Sequence, residues 1–98
     1  MDYKKFTKAY DCIMTDKKIG DLCEAYMLCK YIEKYIMNGK VITSDKKDSE
    51  IILKSDKKYA RKRREHLKEI GYIDYKTKKG KSTEIIINDG ILKVIGVM

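Results

Sequence analysis

Residues 55–73 read Ser55-Asp56-Lys57-Lys58-Tyr59-Ala60-Arg61-Lys62-Arg63-Arg64-Glu65-His66-Leu67-Lys68-Glu69-Ile70-Gly71-Tyr72-Ile73. A short polar residue accepts from the unpaired N–H groups of a helix's first turn, and glycine takes the left-handed conformation that ends one. Ser55 or Asp56 therefore caps a helix that runs to Ile70, and Gly71 stops it. Tyr59, Ala60, Leu67 and Ile70 form its core side. Lys57, Lys58, Arg61, Lys62, Arg64 and Glu65 are left mostly outward. Past Gly71 the apolar period changes from helical to two. Tyr72 to Thr77 reads as a strand, Lys78-Lys79-Gly80-Lys81 as a turn, and Ser82 to Ile87 as the return strand.

Working upstream, Leu22, Ala25, Cys29, Ile32 and Ile36 recur at spacings of three and four, the signature of a helical face. Asp16 or Asp21 caps this helix and Asn38-Gly39 ends it, which places a long first helix within residues 16–39. Val41-Ile42-Thr43 is a short extended piece. Ser44 or Asp45 then caps a second, short helix over residues 46–53, with Ile51, Ile52 and Leu53 as its buried end. Residues 3–14 fit either a strand or a helical face of Phe6, Ala9, Tyr10 and Ile13; a short strand or arm over residues 1–15 is preferred. The apolar tail, residues 91–98, should pack as a strand on this domain or on a second copy. Residues 1–98 thus form one domain, of a size that buries one modest core.

Charge is distributed unevenly. The chain carries a formal net charge of +8, and residues 54–81, with 12 Lys+Arg and 4 Asp+Glu, account for all of it. The three arginines lie within four residues, Arg61 to Arg64. A basic field confined to one stretch has a direction, and the usual partner for such a field is nucleic acid. The alternative is a solvated, lysine-rich surface.

Other classes find little support. No signal peptide is visible, and no stretch approaches the roughly 20 apolar residues of a membrane span; a cytoplasmic, non-membrane protein is expected. Cys12, Cys23 and Cys29 include no C-x-x-C pair and lie far from the one histidine, His66. They read as reduced, mostly buried thiols, and no metal site or cofactor is expected. No paired carboxylates or nucleophile–base motif argues for an enzyme, and His66 reads as a partly buried helix histidine.

The order of helix, short strand, short helix, basic helix, glycine and lysine-tipped hairpin is the layout of a winged helix-turn-helix, an α+β fold of three helices with a C-terminal β-hairpin wing. Residues 44–71 supply the helix-turn-helix and residues 72–88 the wing. In that layout a short helix and tight turn brace the next helix so that one side enters the major groove, about 12 Å wide. Arg61 and Arg64 are candidates for base or bidentate phosphate contacts, because guanidinium forks match both. The alternative for them is a surface salt bridge to Glu65 or Glu69. Arg63 should lie along the protein. Lys57 and Lys58 should touch phosphate. Lys62 lies on the same outward face. Lys76, Lys78, Lys79 and Lys81, with Thr77 and Ser82, should track the backbone or a narrow minor groove. Tyr72 and Tyr75 read as the base of the wing.

Residues 44–87, through the stretch quoted above and the wing from Lys76 to Thr83, resemble winged-helix domains of plasmid and phage proteins from low-GC Gram-positive bacteria. The chain as a whole is similar to the TcpK family, winged-helix accessory DNA-binding proteins of clostridial conjugative plasmids. That resemblance implies a dimer bound near an origin of transfer, as part of a relaxosome beside a relaxase. Two features depart from the common pattern. Lys46 to Glu50 contains no apolar residue, and a tyrosine stands at position 59. They leave open whether the third helix or the wing makes the main contacts.

The leading expectation is sequence-specific binding of double-stranded DNA. A transcriptional repressor or replication-origin binder of a mobile element is the alternative role, and a winged-helix protein–protein adaptor the alternative class. Two surfaces are candidates for a homodimer: Cys29, Ile32 and Ile36 on the first long helix, and Ile91, Val94 and Ile95 in the tail.

Overall fold

Asp21 starts the longest helix, α2 (Leu22–Asn38), in a computed structural model that describes residues 3–52, 56–77 and 82–94. Its carboxylate accepts from the Glu24 N–H at 2.8 Å, while the Glu24 carboxylate accepts from the Gly20 N–H at 2.6 Å. This reciprocal pair resembles a capping box shifted back by one residue, and it satisfies two donors at the helix entry. At the other end Gly39 has φ +74°, and its N–H donates to the Tyr35 carbonyl at 2.8 Å. A left-handed cap of this kind is strained for any residue with a Cβ.

Helix α1 (Tyr3–Met14) precedes α2 and packs against it. This corrects the expected strand or arm over residues 1–15. The helical alternative prevails because it turns Ile13 inward, to 2% exposure. Residues 16–21 form turns rather than the start of α2.

After α2 come β1 (Val41–Thr43), α3 (Asp45–Ile51), α4 (Lys57–Glu69), β2 (Ile73–Thr77), β3 (Thr83–Ile87) and α5 (Asp89–Val94). The fold class is α+β: five helices and one three-stranded antiparallel sheet among the described residues. The expectation had three helices; α1 and α5 are additional. Residues 89–94 are helical where the first part of the apolar tail was expected to be strand, and Leu92 enters the core; residues 95–98 of that tail lie outside the described residues. Asn88 starts α5, since its carbonyl accepts the N–H groups of Ile91 and Leu92.

The sheet order is β1-β3-β2, with Val41 opposite Ile85 and Ile73 opposite Ile87. The central strand β3 alternates: Thr83, Ile85 and Ile87 face inward while Ile86 faces out. That period of two is what a half-buried strand requires. Met27, Leu28, Tyr31 and Ile32 of α2, Ala60 and Leu67 of α4, and the inward residues of the sheet make one continuous core.

Helix α4 ends as its sequence predicts. The Tyr72 N–H donates to the Leu67 carbonyl and the Gly71 N–H to the Lys68 carbonyl, each at 3.0 Å, with Gly71 at φ +84°. These two bonds are the Schellman pattern. The motif turns the chain directly into β2, so the basic helix and the hairpin are set against each other with little freedom. No described helix is long and apolar enough to cross a membrane.

Candidate nucleic-acid interface

Helix α3 begins at Ser44, whose hydroxyl accepts from the Lys47 N–H at 3.2 Å, and α4 begins at Asp56, whose carboxylate accepts from the Lys58 N–H at 2.8 Å. The two helices pack together. Beside them β2 and β3 complete an open groove of about 770 Å³. Its lining includes Asp45, Lys57, Arg61, Arg64, Glu65, Tyr75 and Thr77.

Of the anticipated contact residues, Lys57, Arg61, Arg64 and Thr77 line this groove, whereas Lys76 alternates with Tyr75 and Thr77 and so lies on the opposite face of the sheet. Lys57, Lys58, Arg61 and Lys62 are exposed on α4, Lys76 and Thr77 on β2, and Ser82 just before β3. Lys78, Lys79 and Lys81, the hairpin tip, lie outside the described residues.

Arg64 differs from its expected outward role. Its side chain is 5% exposed and belongs to a hydrogen-bonded chain that runs from the core to the surface. Tyr31, on α2, donates its hydroxyl to Asp48 Oδ2 at 2.7 Å, and Thr43, on β1, donates to Asp48 Oδ1 at 2.7 Å. Arg64 Nη1 donates to the same Asp48 Oδ2 at 2.8 Å, and Arg64 Nη2 to Asp45 Oδ1 at 2.7 Å. Arg61 completes the chain: Nε and Nη2 both donate to Asp45 Oδ2, at 3.1 and 2.6 Å. The acceptors are thus aspartates of α3, not the anticipated Glu65 or Glu69. An arginine held in this way braces the helix pair and is not free to reach a base or phosphate.

The electrostatics follow from this geometry. Burial raises the Asp45 pKa, but the hydrogen bonds from Arg61 and Arg64 outweigh it and hold the carboxyl below its ordinary value. Burial opposes the charge on Arg64, yet the bonds to Asp45 and Asp48 prevail and raise its pKa. Burial pushes the Tyr31 phenol far up, and neighbouring Asp48 adds to that, so Tyr31 stays a neutral donor.

A second polar cluster joins α2 to α4. His66 Nδ1 lies 2.7 Å from both oxygens of the fully buried Glu24. Arg63 runs along the protein, with Nη1 3.2 Å from Asp21 Oδ2 and its guanidinium 5.1 Å from the Tyr59 ring centre. The Tyr59 hydroxyl donates to Asp21 Oδ2 at 2.7 Å. These contacts lock the inner face of α4 and leave Lys57, Lys58, Arg61, Lys62 and Lys68 as its exposed cations, the last paired with Asp74. At the hairpin base the Tyr72 hydroxyl donates to Asp16, and the Tyr75 ring lies under Arg64 and Lys68, at 5.2 and 4.9 Å from centroid to charge.

The first of the two expected dimer surfaces is used up within one copy of the chain. Cys29 is 2% exposed and Ile32 0%, packed in the chain's own core, and Ile36 is half-buried. This face of α2 is covered because α1, α3, α4 and the sheet pack on the helix, while Leu22, Tyr26 and Met37 remain exposed. Ile91 is half-buried in α5; Ile95 and the side chain of Val94 lie outside the described residues.

The sequence marked Asp45 only as an alternative cap to Ser44, which takes that place, and did not mark Asp48. Their signal was spacing: two aspartates three apart on α3 face two arginines three apart on α4. No protein-family model, curated protein or solved structure matches this chain.

Proposed function

We propose that this protein binds double-stranded DNA as a winged helix-turn-helix domain. Helices α3 and α4 form the helix-turn-helix, α4 is the helix offered to the major groove, and β2 with β3 is the wing. The observation that carries this reading is the outward face of α4. Lys57, Lys58, Arg61 and Lys62 are exposed along one helix, beside a hairpin whose Lys76 is also exposed. This face belongs to the stretch that holds the chain's whole excess of positive charge. A helix fits the width of the major groove, and exposed lysines bordering it meet the phosphates on either side.

The role put first is that of an accessory protein at the origin of transfer of a conjugative plasmid, acting in a relaxosome. This role rests on the similarity of the chain as a whole to the TcpK family, whereas the resemblance of residues 44–87 to winged-helix proteins of mobile elements bears on the fold. Repression of transcription or binding at a replication origin would use the same surface. Pairing of two copies, if it brings two half-sites together, has to use a surface other than Cys29 and Ile32.

The test is capture from sheared DNA of the host element in the presence of excess non-specific competitor, followed by sequencing of the bound fragments. One sharp peak is expected, and its position beside a nick site, a promoter or a replication origin selects the role. Uniform or absent enrichment would refute sequence-specific binding and favour a protein–protein adaptor.

A further inference from the structure

Arg61 and Asp45 meet through one particular edge of the guanidinium. Nε and Nη2 both point to Asp45 Oδ2, so the side edge of the fork is occupied. Nη1 makes no hydrogen bond among the described residues, and the side chain is 52% exposed at the groove. The end edge, formed by Nη1 and the second N–H of Nη2, is therefore open. Asp45 is itself clamped, since its other oxygen accepts from Arg64, and Arg64 is anchored on buried Asp48.

We infer that Asp45 is a positioning residue that holds Arg61 with its end edge free to read a guanine in the major groove. The inference rests on the DNA-binding reading above and adds a base and a division of labour to it. Two arguments favour guanine over a phosphate. The first is charge. Within the linked set, Asp45, Asp48, Arg61 and Arg64 sum to zero formal charge, so the positive excess of the groove lining comes from Lys46 and Lys57, against Glu65, and not from Arg61. A phosphate brought to Arg61 would meet Asp45, whose oxygen lies 2.6 Å from Nη2, and lose much of its attraction. Guanine O6 and N7 are neutral acceptors that need a correctly directed fork rather than net charge. The second is order. An arginine side chain loses rotamer freedom on binding, and a carboxylate that fixes it beforehand removes much of that cost. Lys57, Lys58 and Lys62, which pair with no carboxylate among the described residues, are left for the phosphates, where a mobile point charge suffices.

The experiment is selection from a randomised duplex library, with base preferences at each position compared for the wild type, Arg61→Lys and Asp45→Asn. The wild type is expected to select a site with an obligatory guanine. Arg61→Lys, which keeps the charge and loses the planar fork, should weaken that preference about 10-fold, with the loss falling on duplexes that carry the guanine. Asp45→Asn should weaken the same position by less. Arg61→Lys alters an exposed side chain, so it keeps the test decisive even if Asp45→Asn fails to fold. Unchanged base preferences in Arg61→Lys, or an equal loss on all duplexes, would overturn the inference while DNA binding stands. A wild type that binds duplex with no base preference would do the same. A wild type that binds no duplex at all would remove both this inference and the function on which it rests.

Discussion

Asp48 and Arg64 form a buried ion pair between α3 and α4, with Oδ2 and Nη1 2.8 Å apart and neither side chain more than 5% exposed. Taking two charges out of water is costly, and the cost falls as the remaining lone pairs and protons find partners. Tyr31, Thr43 and Asp45 satisfy most of them here, while Arg64 Nε is buried without a hydrogen-bond partner among the described residues. The pair therefore fixes the geometry between the short helix and the basic helix, which is the relationship a groove-reading helix depends on.

Truncating one partner strands the other. Arg64→Ala is expected to destabilise the fold by about 3 kcal/mol. For a domain of this size that lowers the melting temperature by roughly 15 °C. Arg61→Ala, at the exposed end of the same chain of bonds, should leave the melting temperature nearly unchanged. Thermal denaturation followed by circular dichroism checks both. If Arg64→Ala melts within a few degrees of the wild type, the bracing role is wrong.

Helix α2 was legible because its apolar residues keep a spacing of three and four between a capping aspartate and Gly39. Helix α4 and the hairpin were legible for the same kind of reason, through Asp56, Gly71 and the change of period. The inward turn of Arg64 was also written in the sequence. It lies four residues after Ala60 and three before Leu67, and all three are buried on one side of α4. Four basic residues in a row concealed that phase, because an arginine is ordinarily placed outside unless a partner is in view. The partner, Asp48, sits in a run without apolar residues, and only the packing of α3 on α4 brings it inside. Helix α1 was ambiguous for another reason: the aromatic and β-branched residues among residues 3–14 suit a strand as well as a helix, and the contact that decides, Ile13 in the core, is non-local.

Acid should unfold the protein through Asp21 and Asp45. Burial raises the pKa of each. It is outweighed at Asp21 by the Tyr59 and Glu24 hydrogen bonds and the Arg63 charge, and at Asp45 by Arg61 and Arg64. Both folded-state values lie below the ordinary aspartate value. A carboxyl whose pKa is depressed by folding contributes stability that is present above its unfolded value and lost as pH falls through its folded value. Urea unfolding midpoints are expected to hold near pH 5 and fall steeply below about pH 4. Asp45→Asn should flatten part of that fall. An unchanged acid limb in this variant would mean that the Arg61–Asp45–Arg64 linkage does not contribute to stability.

The three thiols should separate by reactivity. Burial, helped by the nearby Glu33 charge, pushes the Cys29 thiol up to about 12, and its side chain is almost wholly enclosed. Cys12 and Cys23 are only half-buried. Thiolate is the nucleophile, so a buried thiol with a raised pKa reacts slowly. Iodoacetamide on the native protein, read by mass spectrometry, is expected to label Cys12 and Cys23 first and Cys29 only after denaturation. Early labelling of Cys29 would show that α2 is not enclosed as described.

The lysines of α4 should reveal themselves through salt. Each phosphate neutralised releases condensed counterions, and the slope of log Kobs against log salt changes by about 0.9 per contact on duplex DNA. Lys57→Ala with Lys58→Ala is expected to shallow that slope by about 2, and Lys62→Ala by about 1, with similar losses on specific and random duplexes. Lys30 on α2 serves as the control, because its ammonium pairs with Glu33 at 3.3 Å and lies over the Tyr26 ring. Lys30→Ala should leave the slope unaltered. Lys76→Ala distinguishes helix from hairpin. A drop of about 1 places a phosphate beside β2 as well, whereas no change confines the contacts on the described surface to α4. If the α4 substitutions leave the slope intact while Lys30→Ala shallows it, the DNA-binding face has been assigned to the wrong side of the molecule.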